Sequence, residues 1–333
     1  MLPVVRSILG LLWRLALFLV FAFSLAWVGL ALWYQFPGGQ VARVAADVVW
    51  LAFGLAILIG AWRFHRRWAV VLYPCALVLV AIWWTTIRPS NHRDWAPDVA
   101  HTVTAEIHGN TATVHNVRNF EWRTETDFTP RWETRTYNLD ELDTVDLFLS
   151  YWSGKAIAHT LVSFGFRDGS HLVFSAEIRK ERTEAFSEVG GFFREFELAM
   201  IAADERDIIR LRTNVRGEDV YRYALDVPEA ARRTLLLSFL NKGNLLASRP
   251  AFYNTVTSNC TTVVFDMARV IDSRLPLDYR ILLSGYLPGY LYDQHVIRTD
   301  LPLAEVRARA AVSALGRQAG DAADYSARIR AGS

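Results

Sequence analysis

Leu15–Tyr34, LALFLVFAFSLAWVGLALWY, carries no charge over 20 residues. A helix of that length spans the hydrocarbon core of a bilayer, roughly 30 Å. Two further apolar stretches follow: Val44–Trp62, with Asp47 as its one charge, and Trp68–Ile87, with none. The five residues from Arg63 to Arg67 leave room only for a tight turn. Their three arginines place that turn in the cytoplasm, and Arg6 and Arg14 place the start of the chain on the same side. The chain then leaves the third span on the outer face. Trp33, Tyr34, Trp83 and Trp84 stand where interfacial aromatics belong. The first stretch exceeds the 7–15 apolar residues of a signal peptide and lacks a small-residue cleavage site, so it reads as a retained anchor. Residues 1–90 are expected to form a three-helix anchor, with spans at 15–34, 44–62 and 68–87.

Beyond the spans the composition changes. Residues 1–87 hold six Lys/Arg and one Asp/Glu, and the remaining 246 hold 30 basic and 33 acidic residues, a net charge of about −3. That length suffices for one core. No basic stripe marks a nucleic-acid partner. The two cysteines are Cys75, inside the third span, and Cys260, alone in the exported part, so the exported domain has no internal disulfide. A lone thiol in an oxidising compartment is a liability unless buried or used.

The rest, residues 91–333, reads as one α+β domain after a polar linker, Arg88–Pro97. Thr102–Asn119 is expected to be a hairpin about His108-Gly109-Asn110. Strands are expected at Trp132–Leu139 and Val145–Tyr151. Lys155–Phe166 and His171–Arg179 form a second hairpin about Arg167-Asp168-Gly169. A helix is expected over Gly191–Ala203, and strands over Asp207–Thr213 and Asp219–Leu225. Pro228–Leu246 and Cys260–Asp272 read as helices, and the tail from Pro302 as a fraying Ala/Arg-rich helix.

The helix after Thr257-Ser258-Asn259 carries the most chemistry. Ser258 or Asn259 suits the N-cap, which puts Cys260 in the first turn, on a face shared with Val263, Val264, Met267 and Ile271. Unpaired N–H groups and the helix dipole there stabilise a thiolate and can serve an oxyanion. A small apolar-face cysteine is also an ordinary core residue. His159 lies in a strand apolar on both faces, so its imidazole must find partners. A three-residue loop with Gly169 at the left-handed position pairs Phe166 with Ser170. That register puts His159 opposite Glu177, Cβ atoms about 5 Å apart. A carboxylate there would fix the tautomer and support the charged imidazole. Ser175 and His171 lie on the same strand face, so either could be the third member instead of Glu177, and Glu177 could equally serve a surface ion pair with Arg179 or Arg182.

The remaining clusters are less specific. Trp122, Arg123, Trp132, Arg135 and Trp152 could line a lipid-facing groove or be core aromatics between solvated arginines. Tyr253 and Asn254 could position a substrate or form the entry turn. His92, His101, His108 and His115 show no zinc-ligand spacing, no phosphate loop appears, and no cofactor is implied.

The runs Asn119–Arg123, Arg131–Tyr137, Ile157-Ala158-His159-Thr160, Ser175–Glu181, Tyr253-Asn254 and Asn259-Cys260-Thr261-Thr262 resemble the Lnb N-terminal periplasmic domain family, over about residues 118–272. Lnb is a lipoprotein N-acyltransferase. The order histidine, polar residue, cysteine is also similar to the circularly permuted NlpC-type papain-like fold, shared by lecithin–retinol acyltransferase. The resemblance implies that Cys260 takes an acyl group as a thioester with His159 as base, at the outer face of a bacterial inner membrane. The donor would be a membrane phospholipid and the acceptor an amine, such as a lipoprotein N-terminus. Asn259, Arg123, Tyr253 and Asn254 would bind. The three spans ahead of the domain depart from the family arrangement and leave the substrate open. Rival readings are a cysteine amidase or peptidase acting on cell wall, and a non-catalytic membrane-tethered binding module.

Overall fold

A computed structural model describes residues 2–63, 67–297 and 299–331, in two compact units. The first comprises residues 1–89 with 187–195. Its helices α1 (Leu2–Gln35), α2 (Gln40–Arg63) and α3 (Arg67–Thr86) are each long and apolar enough to cross a membrane. The first begins well before the expected span; three of the five turn residues, 64–66, lie outside the described residues. Most of the helix surface is apolar and exposed, as at Leu9, Phe23, Val70 and Leu79, which suits lipid. Polar groups tie the helices internally: Ser24 Oγ meets Tyr73 Oη at 2.8 Å, and Trp50 Nε1 donates to the Leu25 carbonyl at 2.9 Å. In the same unit, Phe193 stacks on Tyr34 and meets Trp27 and Trp84, and Arg194 donates to the Trp84 carbonyl.

The second unit comprises residues 90–186 with 196–333. Its strands are β1 (Thr104–His108), β2 (Thr111–Arg118), the short β3 (Glu121–Trp122) and β4 (Phe128–Thr129), β5 (Trp132–Asn138), β6 (Leu142–Tyr151), β7 (His159–Phe166), β8 (His171–Arg179), β9 (Glu197–Ala203) and β10 (Asp219–Ala224). The main sheet runs β1-β2-β9-β8-β7-β6-β10, with β5 also on β2; it is antiparallel except where β2 meets β9. Between β9 and β10 lies α4 (Glu205–Arg210); α5 (Glu229–Ser248) and α6 (Cys260–Ile271) follow. After them come α7 (Tyr279–Leu282), α8 (Leu287–Asp293), α9 (Leu303–Arg309), α10 (Ser313–Ala319) and α11 (Tyr325–Arg328). The architecture is α+β.

Both sheet faces are covered, and side-chain alternation divides them. Val162, Phe164, Phe174 and Met200 point to a core shared with Phe239 of α5 and Val263 of α6. Leu161, Val173, Ala199 and Ile201 point to a second core with Ile208, Ile209, Tyr325 and Ile329. This explains three differences from expectation. Glu197–Ala203, expected as helix, is a central strand buried at every position, and a short run apolar on both faces does not reveal its period. Residues 207–213, expected as strand, belong to α4 and a π-helical turn, Leu211–Val215; Asp204 caps α4 by accepting the Arg206 N–H. The tail is folded down: Tyr325 and Ile329 are fully buried, and Arg330 pairs with Asp146 and Glu205 at 2.7 Å. The linker is likewise ordered from Ser90, with Arg93 Nη2 on Glu197 at 2.9 Å.

Candidate active site

Two local structures bring the central residues together. The first is the β7–β8 hairpin. Asp168 accepts the Ser170 N–H, Gly169 takes φ +82°, and the Phe166 N–H bonds the Ser170 carbonyl at 3.0 Å, which is the loop chemistry expected of Asp-Gly. Leu161 then pairs with Ser175, in the register that places His159 across from Glu177. The second is the start of α6. Asn259 is the N-cap: its side chain accepts from the N–H groups of Thr261 and Thr262, and Thr262 Oγ1 returns to the Asn259 N–H. Cys260 is thereby the first helical residue, half-buried.

The His159 ring joins the two. Its Nε2 lies 2.6 Å from Ser175 Oγ and 3.2 Å from Glu177 Oε1, and Ser175 Oγ donates to Glu177 at 2.7 Å. The ring also interacts with the Cys260 thiol, and with Nε2 engaged by Ser175 and Glu177, Nδ1 is the nitrogen available to that sulfur. The sulfur also takes the Thr160 backbone N–H and lies 3.8 Å from Thr261 Oγ1. Behind the carboxylate, Arg212 gives Nη2 to Glu177 and Nη1 to Glu218, both at 3.3 Å, and Ser150 donates to Glu218. Ser175 is fully buried and Arg212 nearly so.

The charges follow from this chain. Burial opposes charging of His159 and the Arg212 guanidinium adds to that, yet Glu177 and the Cys260 sulfur together lift the imidazole to about 9. Burial also opposes the Glu177 carboxylate, but His159, Arg212 and Ser175 hold it well below the usual carboxylate range. The Cys260 thiol is pulled down despite burial, chiefly by His159 and then by the Thr160 N–H and the Thr261 hydroxyl. Both shifts act in the direction of a thiolate beside an imidazolium. Such an arrangement supplies a nucleophile and an adjacent proton donor.

The other expected residues fall into place unevenly. Glu177 and Ser175 both contact His159, while His171 sits at the hairpin end, six residues from Glu177, about 20 Å along the strand. Asn259 spends its side chain on the cap and on the Thr255 carbonyl. Asn254 spends its oxygen on the Val256 and Thr257 N–H groups and forms the entry turn. Tyr253 is bonded through its N–H to the Phe196 carbonyl and packs on the core. Arg123 is not part of this constellation: it is exposed on the β3–β4 hairpin, held by Asp127 and Thr129. Of the two readings of the aromatic cluster, Trp122 follows the core one: it is buried among Phe120 and Phe128, with its Nε1 on Asp207 at 2.8 Å. Arg135 is paired with Glu133 and Asp204, and Trp152 stands apart, exposed. Arg212, Glu218 and Ser150 carried no sequence signal beyond the two arginines, Arg210 and Arg212, that alternate with apolar residues after Ile208-Ile209.

No curated protein and no solved structure matches this chain. One family does: residues 128–285, a little under half of the chain, which hold His159, Glu177 and Cys260, match the model of the Lnb N-terminal periplasmic domain, and with three membrane-type helices ahead of it this fits a domain facing the periplasm.

Proposed function

We propose that the second unit is a cysteine-dependent acyltransferase of permuted papain-like type, tethered to the outer face of a bacterial inner membrane. It moves an acyl chain from a membrane phospholipid to an amine, such as the N-terminus of a lipoprotein. The observation that carries this reading is the single imidazole shared between the Cys260 sulfur and the Ser175–Glu177 pair.

The steps balance on these residues alone. The Cys260 thiolate attacks the ester carbonyl, forming a C–S bond; the C–O bond breaks and His159 Nδ1 gives its proton to the departing alkoxide. The products are the lyso-lipid alcohol and a thioester beside a neutral imidazole. The amine then attacks the thioester, a C–N bond forms, the C–S bond breaks, and His159 takes the amine proton as the thiolate leaves. Asn259 occupies the Thr261 and Thr262 N–H groups. The donor left for the oxyanion is therefore the Cys260 N–H, which at the first helical position has no intrahelical acceptor. Ser175 and Glu177 keep the ring's other proton on Nε2, which leaves Nδ1 free to give and take the transferred one, and they stabilise the charged ring.

The test is mass spectrometry of the intact full-length chain after incubation with phospholipid. One acyl group on Cys260, absent in Cys260→Ser and in His159→Ala and discharged by an amine acceptor, is the expected result. A folded wild-type chain that never acquires an acyl group sinks the reading in favour of a binding module. Free fatty acid without amide, or cleavage of cell-wall peptide, assigns the site to a hydrolase.

A further inference from the structure

The helix that carries Cys260 borders a cavity. It has a volume of about 650 Å³, within the range of small-molecule sites. Thr261, Val264, Phe265, Ala268 and Ile271 form its α6 wall, at spacings that keep them on one helix face. Sheet residues such as Val162, α5 residues such as Phe239 and α8 residues such as Leu291 complete it. This accounts for a departure on α6: Val264 is only half-buried and Ile271 is 38% exposed, although both belong to its apolar stripe.

The cavity opens to solvent beside Ile271 and Arg274, and its lining is mostly apolar, which suits an apolar ligand. Water is held poorly along the α6 wall between Thr261 and Asp272, which offers it no side-chain partner; the polar lining groups Asp226, Ser273, Arg274 and Gln294 belong to other parts of the cavity. The two ends differ in character. At one, Thr261 is hydrogen-bonded to Thr160 at 2.9 Å and approaches the Cys260 sulfur at 3.8 Å. At the other stands the Asp272–Arg274 ion pair. The eleven steps from Thr261 to Asp272 rise about 16 Å. One acyl chain in a bilayer leaflet spans half of a core of roughly 30 Å, so the lengths agree.

We infer that this cavity holds the hydrocarbon tail of a single long-chain acyl group whose carbonyl lies at Cys260, and that α6 acts as the ruler of chain length. The inference rests on the acyltransferase reading and adds to it a specificity site. Nucleophile and tail site share one helix, so the distance between the reactive carbonyl and the end of the cavity is set by the helical rise.

The test uses the full-length chain in maltoside micelles with soluble acyl thioesters of increasing length, reading Cys260 acylation by intact mass. In the wild type the acylation efficiency rises with length, by up to about fourfold for each methylene buried, and levels off once the cavity is full. Ala268→Phe, which fills its middle, retains the short-chain rate and loses the long-chain rate by tenfold or more; Leu291→Trp, on the opposite wall, serves if that variant fails to fold. A length profile unchanged in either folded variant overturns the ruler while leaving the thioester chemistry standing. A second arm is independent of chemistry: a fluorescent long-chain fatty acid binds Cys260→Ala, and adding Ala268→Phe abolishes the binding. If Cys260→Ala fails to bind it, the cavity assignment fails, whereas binding in a chain that is never acylated removes the acyltransferase reading instead.

Discussion

Replacing Glu177 by Gln tests the electrostatic core of the site with almost no change of shape. The amide can still receive hydrogen bonds from Ser175 and Arg212, but it no longer carries the charge that supports the imidazolium. His159 stands at about 9 against an ordinary value of about 6.5, roughly 3 kcal/mol in favour of the charged ring at 1.36 kcal/mol per unit. Burial and Arg212 both work against that charge, so what holds it is Glu177 with the Cys260 sulfur. A neighbouring opposite charge moves a titration by about 1–3 units, and the imidazole should fall by that much in the variant. The thiol follows, because His159 is the main group pulling it down. The assay is the rate of iodoacetamide alkylation of Cys260 against pH, in a Cys75→Ala background. With Glu177 present the inflection lies below the ordinary thiol value of about 8.5. In Glu177→Gln it should move up by about a unit or more, slowing alkylation about tenfold at pH values below the wild-type inflection. An unchanged inflection in a variant of unchanged melting temperature would refute the electrostatic account. The stability effect has its own sign. Glu177 is depressed in the folded chain, so its contribution is present above an unfolded value of about 4.3 and is lost as pH falls through the folded one. The melting-temperature gap between wild type and variant should therefore close on acidification.

Asn259→Ala removes the side-chain half of the cap on α6, leaving Thr262 Oγ1 on the backbone N–H of residue 259, and should cost about 1 kcal/mol in a denaturant titration, with a fall in Cys260 alkylation as the first turn frays. Arg330→Met leaves Glu205, fully buried, without its cation, and should destabilise the domain by about 3–5 kcal/mol at neutral pH. Because Arg330 helps hold Glu205 below its usual range, the deficit in chemical denaturation should shrink as pH falls through that folded value; a deficit constant with pH would show that the pair carries no such weight.

The site was half legible. The hairpin pairing was readable because Asp168 and Gly169 impose one loop geometry, and a loop of known length sets every pair along the strands. The place of Cys260 was readable because Asn259 is a local capping signal. The face of α6 was not: periodicity marks which residues avoid water, and it cannot tell a residue packed against neighbours from one lining an empty space, as at Val264 and Ile271. The choice among Glu177, Ser175 and His171 turned on distances, and the geometry gives His159 two of them at once.

By itself the amino-acid order determined what depends on neighbours along the chain: three spans from unbroken hydropathy, a strand register from a turn, and a cysteine at a helix start from a cap. Only the tertiary structure decided what depends on residues distant in the chain. Residues 197–203 became a strand because both faces of the sheet are covered, Arg212 came to back Glu177 through a π-helical turn, and a cavity opened along α6. Burial and charge pairing are properties of surroundings assembled from remote segments, and no local pattern encodes them.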